Sequence, residues 1–119
     1  EGQIWEAAMY IGAHNLNNLC LILDNNEMQN ETYTKKTLNI MPLKEKWKAF
    51  NWNVLEINGH SFSQINIAFK KFYKEKYRPT IIIANTIKGK GISFMENSPD
   101  WHSKVLDNKS YILAKKELT

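Results

Sequence analysis

The side-chain amide of Asn26 is well placed to do chemistry. It stands in the polar run Asp24-Asn25-Asn26-Glu27, directly behind the apolar stretch Leu19 to Leu23. A neutral amide oxygen in that position can complete an all-oxygen shell around Mg²⁺, with the remaining oxygens drawn from cofactor phosphates. Asn is also an ordinary turn residue, and composition alone favours that plainer reading. A second candidate is Lys88-Gly89-Lys90-Gly91. It lacks the Ser or Thr of a Walker loop and does not match the dinucleotide fingerprint, so a basic surface loop is the alternative. Glu1 and Glu6 lie five apart. That spacing does not make neighbours on a helix, so it does not make them a catalytic carboxylate pair; solvated acids at a helix start suit the positive end of its dipole. Of the histidines, His14 at a helix end and His60 behind Gly59 read as structural, although His60 follows a strand end. His102 has the best claim to a functional role.

Four helices and three strands must position these groups. Ile4, Ala8 and Ile11, with Trp5, Met9 and Gly12, recur at three- and four-residue spacing, which predicts an opening helix ending near Asn15 to Asn18. Leu19 to Leu23 reads as a short parallel strand covered on both faces. Pro42 is expected in the first turn of a second helix running to about Phe50. Asn53 to Ile57 reads as a strand stopped by Asn58-Gly59. Ser61 or Ser63 can cap a third helix that turns Ile65, Ala68, Phe69 and Phe72 to one side and lysines to the other, up to the Arg78-Pro79 break. Thr80 to Ala84 is the third strand. An irregular loop to about Asn108 precedes a polar helix from Ser110 to Leu118. This α-β-α-β-α-β order predicts an α/β fold, a parallel sheet with flanking helices and right-handed crossovers. Ligands gather at the carboxyl ends of such strands, where Asn26, Gly59-His60 and Lys88 all fall.

The chain has 119 residues, of which 43% are hydrophobic, and a formal net charge of +4. That allows one modest core and one domain. No apolar run approaches the roughly 20 residues of a membrane span, and no leader pattern opens the chain, so no membrane partner is expected. Cys20 is the only cysteine, which excludes a disulfide scaffold and points to a reducing, cytoplasmic setting. The sequons at Asn30 and Asn108 carry little meaning without a secretory signal. Basic residues are scattered over helix faces, and no evenly spaced aromatic platform is visible. Nucleic acid is therefore not an expected partner.

Three stretches in fixed order carry a resemblance: Glu1-Gly2-Gln3-Ile4-Trp5-Glu6-Ala7, Leu23-Asp24-Asn25-Asn26-Glu27-Met28-Gln29, and Lys88-Gly89-Lys90-Gly91 followed by Trp101-His102. Together they resemble the diphosphate-binding half of transketolase. The likeness continues through Lys46-Trp47, Phe50-Asn51-Trp52, Ile57-Asn58-Gly59-His60, Arg78-Pro79-Thr80, Glu96-Asn97 and Ser103-Lys104, and so runs from Glu1 to about Lys104.

The resemblance implies the thiamine-diphosphate-binding fold, with residues 1–119 forming part of a single diphosphate-binding domain and residues 87–108 forming the active-site loop. In the family a Gly-Asp-Gly turn, followed about thirty residues later by an Asn, feeds one Mg²⁺. That turn would lie a few residues before Glu1, so the chain is expected to be a fragment with an incomplete domain. By the same resemblance Asn26 and the Met28 carbonyl bind Mg²⁺ (or Ca²⁺), while Asp24 structures the loop. Lys88 and His102 are catalytic and cofactor-binding: Lys88 counters negative charge near the cofactor, and His102 hydrogen-bonds diphosphate or substrate oxygens. Lys104 supports them. The family usually has Gly where this chain has Ser103. Glu1 and Glu6 are assigned to the dimer interface.

The implied activity moves a two-carbon ketol unit from a ketose phosphate to an aldose phosphate, as in the pentose phosphate pathway, using thiamine diphosphate and Mg²⁺. A synthase joining pyruvate to a triose phosphate, making deoxyxylulose phosphate, keeps the same fold and cofactor, and a noncatalytic assembly subunit or remnant keeps the fold alone. The expected partner is a pyrimidine-binding half or a C-terminal transketolase subunit, in a homodimer or heterotetramer. The 119 residues alone are expected to be inactive, either as a truncated chain or as part of the small subunit of a split enzyme.

Overall fold

A computed structural model describes residues 1–119. The chain divides into two compact units, Glu1–Asn25 with Met41–Asn85, and Asn26–Ile40 with Thr86–Thr119.

The first unit is built on three parallel strands, β1 (Cys20–Asn25), β4 (Asn53–Asn58) and β5 (Thr80–Asn85), in the order β1-β5-β4. Central β5 is buried from Thr80 to Ala84, as its run of β-branched Ile residues requires on a strand covered on both faces. Register pairs Asn25 with Asn85 and Asn85 with Asn58, so three asparagines line up at the carboxyl ends. β1 departs from expectation. It is an edge strand, and Ile22 is 58% exposed; coverage on both faces holds for β5 and not for β1.

Three helices belong to this unit: α1 (Gly2–Ala13), α3 (Leu43–Ala49) and α4 (Phe62–Lys74). Gly12 lets α1 approach the turn after α3, because a Cβ there would stand 1.8 Å from the Phe50 carbonyl oxygen. Buried Trp47 and Trp52 meet edge to face at 4.9 Å, and the Trp52 indole N–H donates to the Ala8 carbonyl at 2.9 Å. α3 begins one residue later than expected, since Pro42 is extended and serves as its N-cap. α4 follows the sequence reading closely. The Ser61 hydroxyl accepts from the Gln64 N–H, Ala68 is buried, and Lys70, Lys71 and Lys74 are exposed.

The second unit contains a two-stranded antiparallel ribbon, β2 (Met28–Gln29) with β3 (Thr32–Tyr33), then α2 (Thr34–Thr37), a 3₁₀ turn (Pro99–His102) and α5 (Asn108–Leu118). The ribbon, α2 and the 3₁₀ turn are additions to the sequence reading. α5 starts at Asn108 rather than Ser110, because the Asp107 carboxylate caps it by accepting from the Ser110 N–H at 2.7 Å. No helix is long and apolar enough to cross a membrane.

Candidate functional site

β1 ends at Asn25, and the chain turns sharply through Asn26, Glu27 and Met28. The Asn26 side-chain oxygen accepts from the Met28 N–H at 2.9 Å, an Asx turn. Glu27 between them takes a left-handed φ of 60°, which a non-glycine residue adopts only when its surroundings impose it. The ribbon that follows fixes the direction of the Met28 backbone. Thr34 N–H donates to the Glu27 carbonyl at 2.8 Å, so alternation makes Met28 and Tyr33 a non-hydrogen-bonded pair. The main-chain groups of Met28 then face outward from the ribbon, on the side where its N–H meets Asn26. Both candidate ligands are thus parts of one ordered turn.

The segment from Ile87 to Ser98 is a compact loop closed on itself. Asn97 N–H donates to the Lys88 carbonyl at 3.0 Å and closes its neck. Gly89 at φ 73° and Gly91 at φ 99° use the left-handed region that glycine tolerates. A Cβ on Gly89 would lie 2.5 Å from the Met95 carbonyl oxygen, so the loop's return strand packs against the residue after Lys88. Inside the loop the Glu96 carboxylate accepts from the Gly91 N–H at 3.1 Å and pairs with the Lys90 ammonium at 3.2 Å. Lys88 is half-buried and Lys90 exposed.

His102 ends the 3₁₀ turn and is exposed. Trp101 anchors it, since its indole N–H donates to the Phe94 carbonyl at 2.9 Å and its ring packs on Phe94 at 5.3 Å. The Lys104 ammonium lies over the same indole at 4.6 Å, a cation–π contact. Ser103 has φ −122°, a conformation open to any residue, and its hydroxyl donates to Glu31 at 2.6 Å.

All five residues assigned to cofactor or metal, Asn26, Met28, Lys88, His102 and Lys104, belong to the second unit. Two side chains that the sequence reading missed tie its segments together. Tyr33, paired with Met28, donates its hydroxyl to the Asn97 carbonyl at 3.4 Å. Glu31 at the ribbon tip holds Ser103. Neither stood out, because each acts through partners more than sixty residues away. Glu1 and Glu6 fall in the first unit on exposed positions of α1 and its N-cap. His14 packs on Tyr10 at 4.2 Å, in keeping with a structural role. In the first unit, Asn25 donates to Asn85 at 2.7 Å and Asn85 to Glu56 at 3.2 Å across the three strand ends. Partial burial raises the Cys20 thiol pKa.

The donor set suits a hard cation. No group of three or more His, Cys, Asp or Glu side chains that could hold a metal ion is assembled, and Asn26 and Met28 have an amide oxygen and a carbonyl oxygen on one turn. Such ligands fit Mg²⁺ or Ca²⁺ when phosphate oxygens complete the shell. Cationic Lys88 and the imidazole of His102, in the same unit, suit an anionic ligand.

Comparison with known proteins follows the same direction. Residues 1–119 match the family described as transketolase, thiamine diphosphate binding domain. The chain is 41% identical over 118 residues to the 6-deoxy-6-sulfo-D-fructose transketolase subunit SqwG of Clostridium sp. (strain MSTE9), covering 99% of this chain and 43% of that one. It is 35% identical over 119 residues to an apulose-4-phosphate transketolase subunit of Phocaeicola vulgatus, covering 100% and 42%. It therefore spans less than half the length of these curated relatives. Among solved structures, transketolase from Campylobacter jejuni superposes with a TM-score of 0.89 at 33% identity, over 99% of this chain and 18% of that one.

Proposed function

Because the chain belongs to the transketolase thiamine diphosphate binding domain family, we propose that it holds the diphosphate end of thiamine diphosphate in an enzyme of ketol transfer. Asn26 and Met28 supply the side-chain and main-chain oxygens that hold Mg²⁺. Lys88 neutralises phosphate charge, and exposed His102 donates a hydrogen bond to diphosphate or substrate oxygens. Lys104 supports this pair from its seat on Trp101. Residues 87–108 form the active-site loop, within a diphosphate-binding domain that takes in residues 1–119. When bound, thiamine diphosphate supplies the carbanion chemistry that moves a two-carbon unit from a ketose phosphate to an aldose phosphate.

The observation that supports this reading is the single turn in which the Asn26 side-chain oxygen accepts from the Met28 N–H, in one unit with Lys88 and His102. The partner is a polypeptide bearing the pyrimidine-binding half, met across a surface that includes Glu1 and Glu6. Two relatives named as transketolase subunits, each spanned to less than half its length, support a split enzyme. Its setting is the cytoplasm.

Calorimetric titration of the complete protein with thiamine diphosphate tests the proposal. Binding should require Mg²⁺ or Ca²⁺, vanish on chelation, and weaken at least about tenfold in Asn26→Ala, in line with loss of one metal ligand. Binding that ignores divalent cations, or that survives Asn26→Ala unchanged, would overturn it. The 119 residues assayed without a partner should show no ketol transfer.

A further inference from the structure

The loop that carries Lys88 is held at its far tip by a residue from another element. Ser93 donates its N–H to one Glu117 carboxylate oxygen at 2.5 Å and its hydroxyl to the other at 2.8 Å. Both oxygens are used, and hydrogen bonds to a charged acceptor are stronger than neutral ones. Glu117 is in the last turn of α5, whose first turn is secured by the Asp107 cap. The two elements also approach closely beside this contact, since a Cβ on Gly91 would lie 3.4 Å from a Leu118 methyl.

We propose that Glu117 is a positioning residue that latches the Lys88–Asn97 loop in its cofactor-binding conformation, a role that rests on the functional reading above. The physical route is short. Ser93 lies two residues before Met95, whose carbonyl forms the wall against Gly89. Glu96 braces the loop through Gly91 and Lys90, and its carboxylate repels that of Glu117, so it does not itself supply the tie to α5. With the latch open, Ile92 to Met95 keep the Trp101 contact at Phe94 but lose the tie to α5, and the wall that fixes Lys88 at the neck loosens. The carboxylate does this without touching the ligand.

The experiment uses the complete enzyme with Glu117→Gln, Ser93→Ala and Ser93→Thr. Gln keeps the shape but aims an NH₂ group at one of the two Ser93 donors, while Thr keeps the hydroxyl. Hydrogen exchange of amides 88–97 should speed about tenfold in Glu117→Gln and Ser93→Ala with β5 amides unchanged, the mark of a local opening. The thiamine diphosphate concentration for half-maximal rate should rise about fivefold while the rate at saturating cofactor is kept, and Ser93→Thr should track the parent. The double variant should be no worse than either single one, as for two halves of one contact. Unchanged loop exchange in Glu117→Gln, or additive effects in the double variant, would overturn the latch. Exchange decides this even if the parent binds no thiamine diphosphate, a result that would instead remove the functional reading.

Discussion

The Ser103 hydroxyl donates to the Glu31 carboxylate at 2.6 Å, joining the residue after His102 to the tip of the ribbon that begins at Met28. A serine here therefore contributes a tie that glycine has no side chain to make. Removing it frees the 3₁₀ turn without touching Asn26 or Lys88. Ser103→Ala should lower kcat/KM in the complete enzyme about threefold to tenfold, the range for losing one solvent-exposed hydrogen bond. Its Mg²⁺ dependence should stay as in the parent. A variant with parental kinetics would show that His102 needs no such tether.

Gly89→Ala acts on the Lys88 loop of the same unit. Alanine must adopt φ 73° and place a methyl 2.5 Å from the Met95 carbonyl oxygen. Left-handed backbone alone costs about 1–2 kcal/mol for an L residue, and the collision adds to it. The loop should open at its neck, where Asn97 meets Lys88. Faster proteolysis within residues 88–98 and weaker thiamine diphosphate binding are the expected outcome. Gly91→Ala, with its nearest neighbour a Leu118 methyl at 3.4 Å, should be the milder of the two.

Much of this arrangement was legible in the residues, and the remainder has physical reasons for escaping. β5 was plain because Ile81, Ile82 and Ile83 leave no polar face for solvent, and α4 because its apolar positions repeat at helical spacing. β1 was read with the wrong coverage, since an apolar run does not say how many neighbours lie beside it, and Ile22 is open at an edge. The β2–β3 ribbon has two residues per strand, too few for an alternation to register. Pro42 precedes its helix because its extended ψ of 124° makes it a cap. At the site, Asn26, Lys88 and His102 were visible as residue types in pattern. Tyr33, Glu31 and Glu117 were not, because they work through main-chain atoms or partners distant in sequence.

The two core tryptophans should respond differently to the same substitution. Trp52 is buried and donates its indole N–H to Ala8 of α1, whereas the Trp47 indole N–H is buried with no hydrogen-bond partner. Trp52→Phe removes volume and a satisfied hydrogen bond, for a loss of about 2–3 kcal/mol. Trp47→Phe removes similar volume but also removes an unsatisfied donor, and the two effects oppose each other. Chemical denaturation of the complete protein should find Trp47→Phe the less destabilised by about 1 kcal/mol or more. Equal losses would show that volume alone governs this cluster.

Acid should release α5 before it disturbs the central strand. The Asp107 carboxyl is held below the ordinary carboxylate range by the Ser110 hydroxyl and N–H, and Glu117 is held below it by the Ser93 N–H and hydroxyl. A folded-state pKa below the unfolded one means that each contact contributes fully above the ordinary value of about 4. That contribution is lost as pH falls through the depressed folded-state value, so the window lies below about pH 4 and neutral solution leaves both contacts intact. β5 carries no carboxylate between Thr80 and Asn85 and has no such dependence of its own. Exchange of the α5 amides, corrected for intrinsic acid rates, should therefore rise at a higher pH than that of β5. Asp107→Asn keeps a capping side chain but cannot titrate in this range, and combined with Glu117→Gln it should abolish the α5 step. A step that persists in the double variant would place the acid sensitivity elsewhere in the chain.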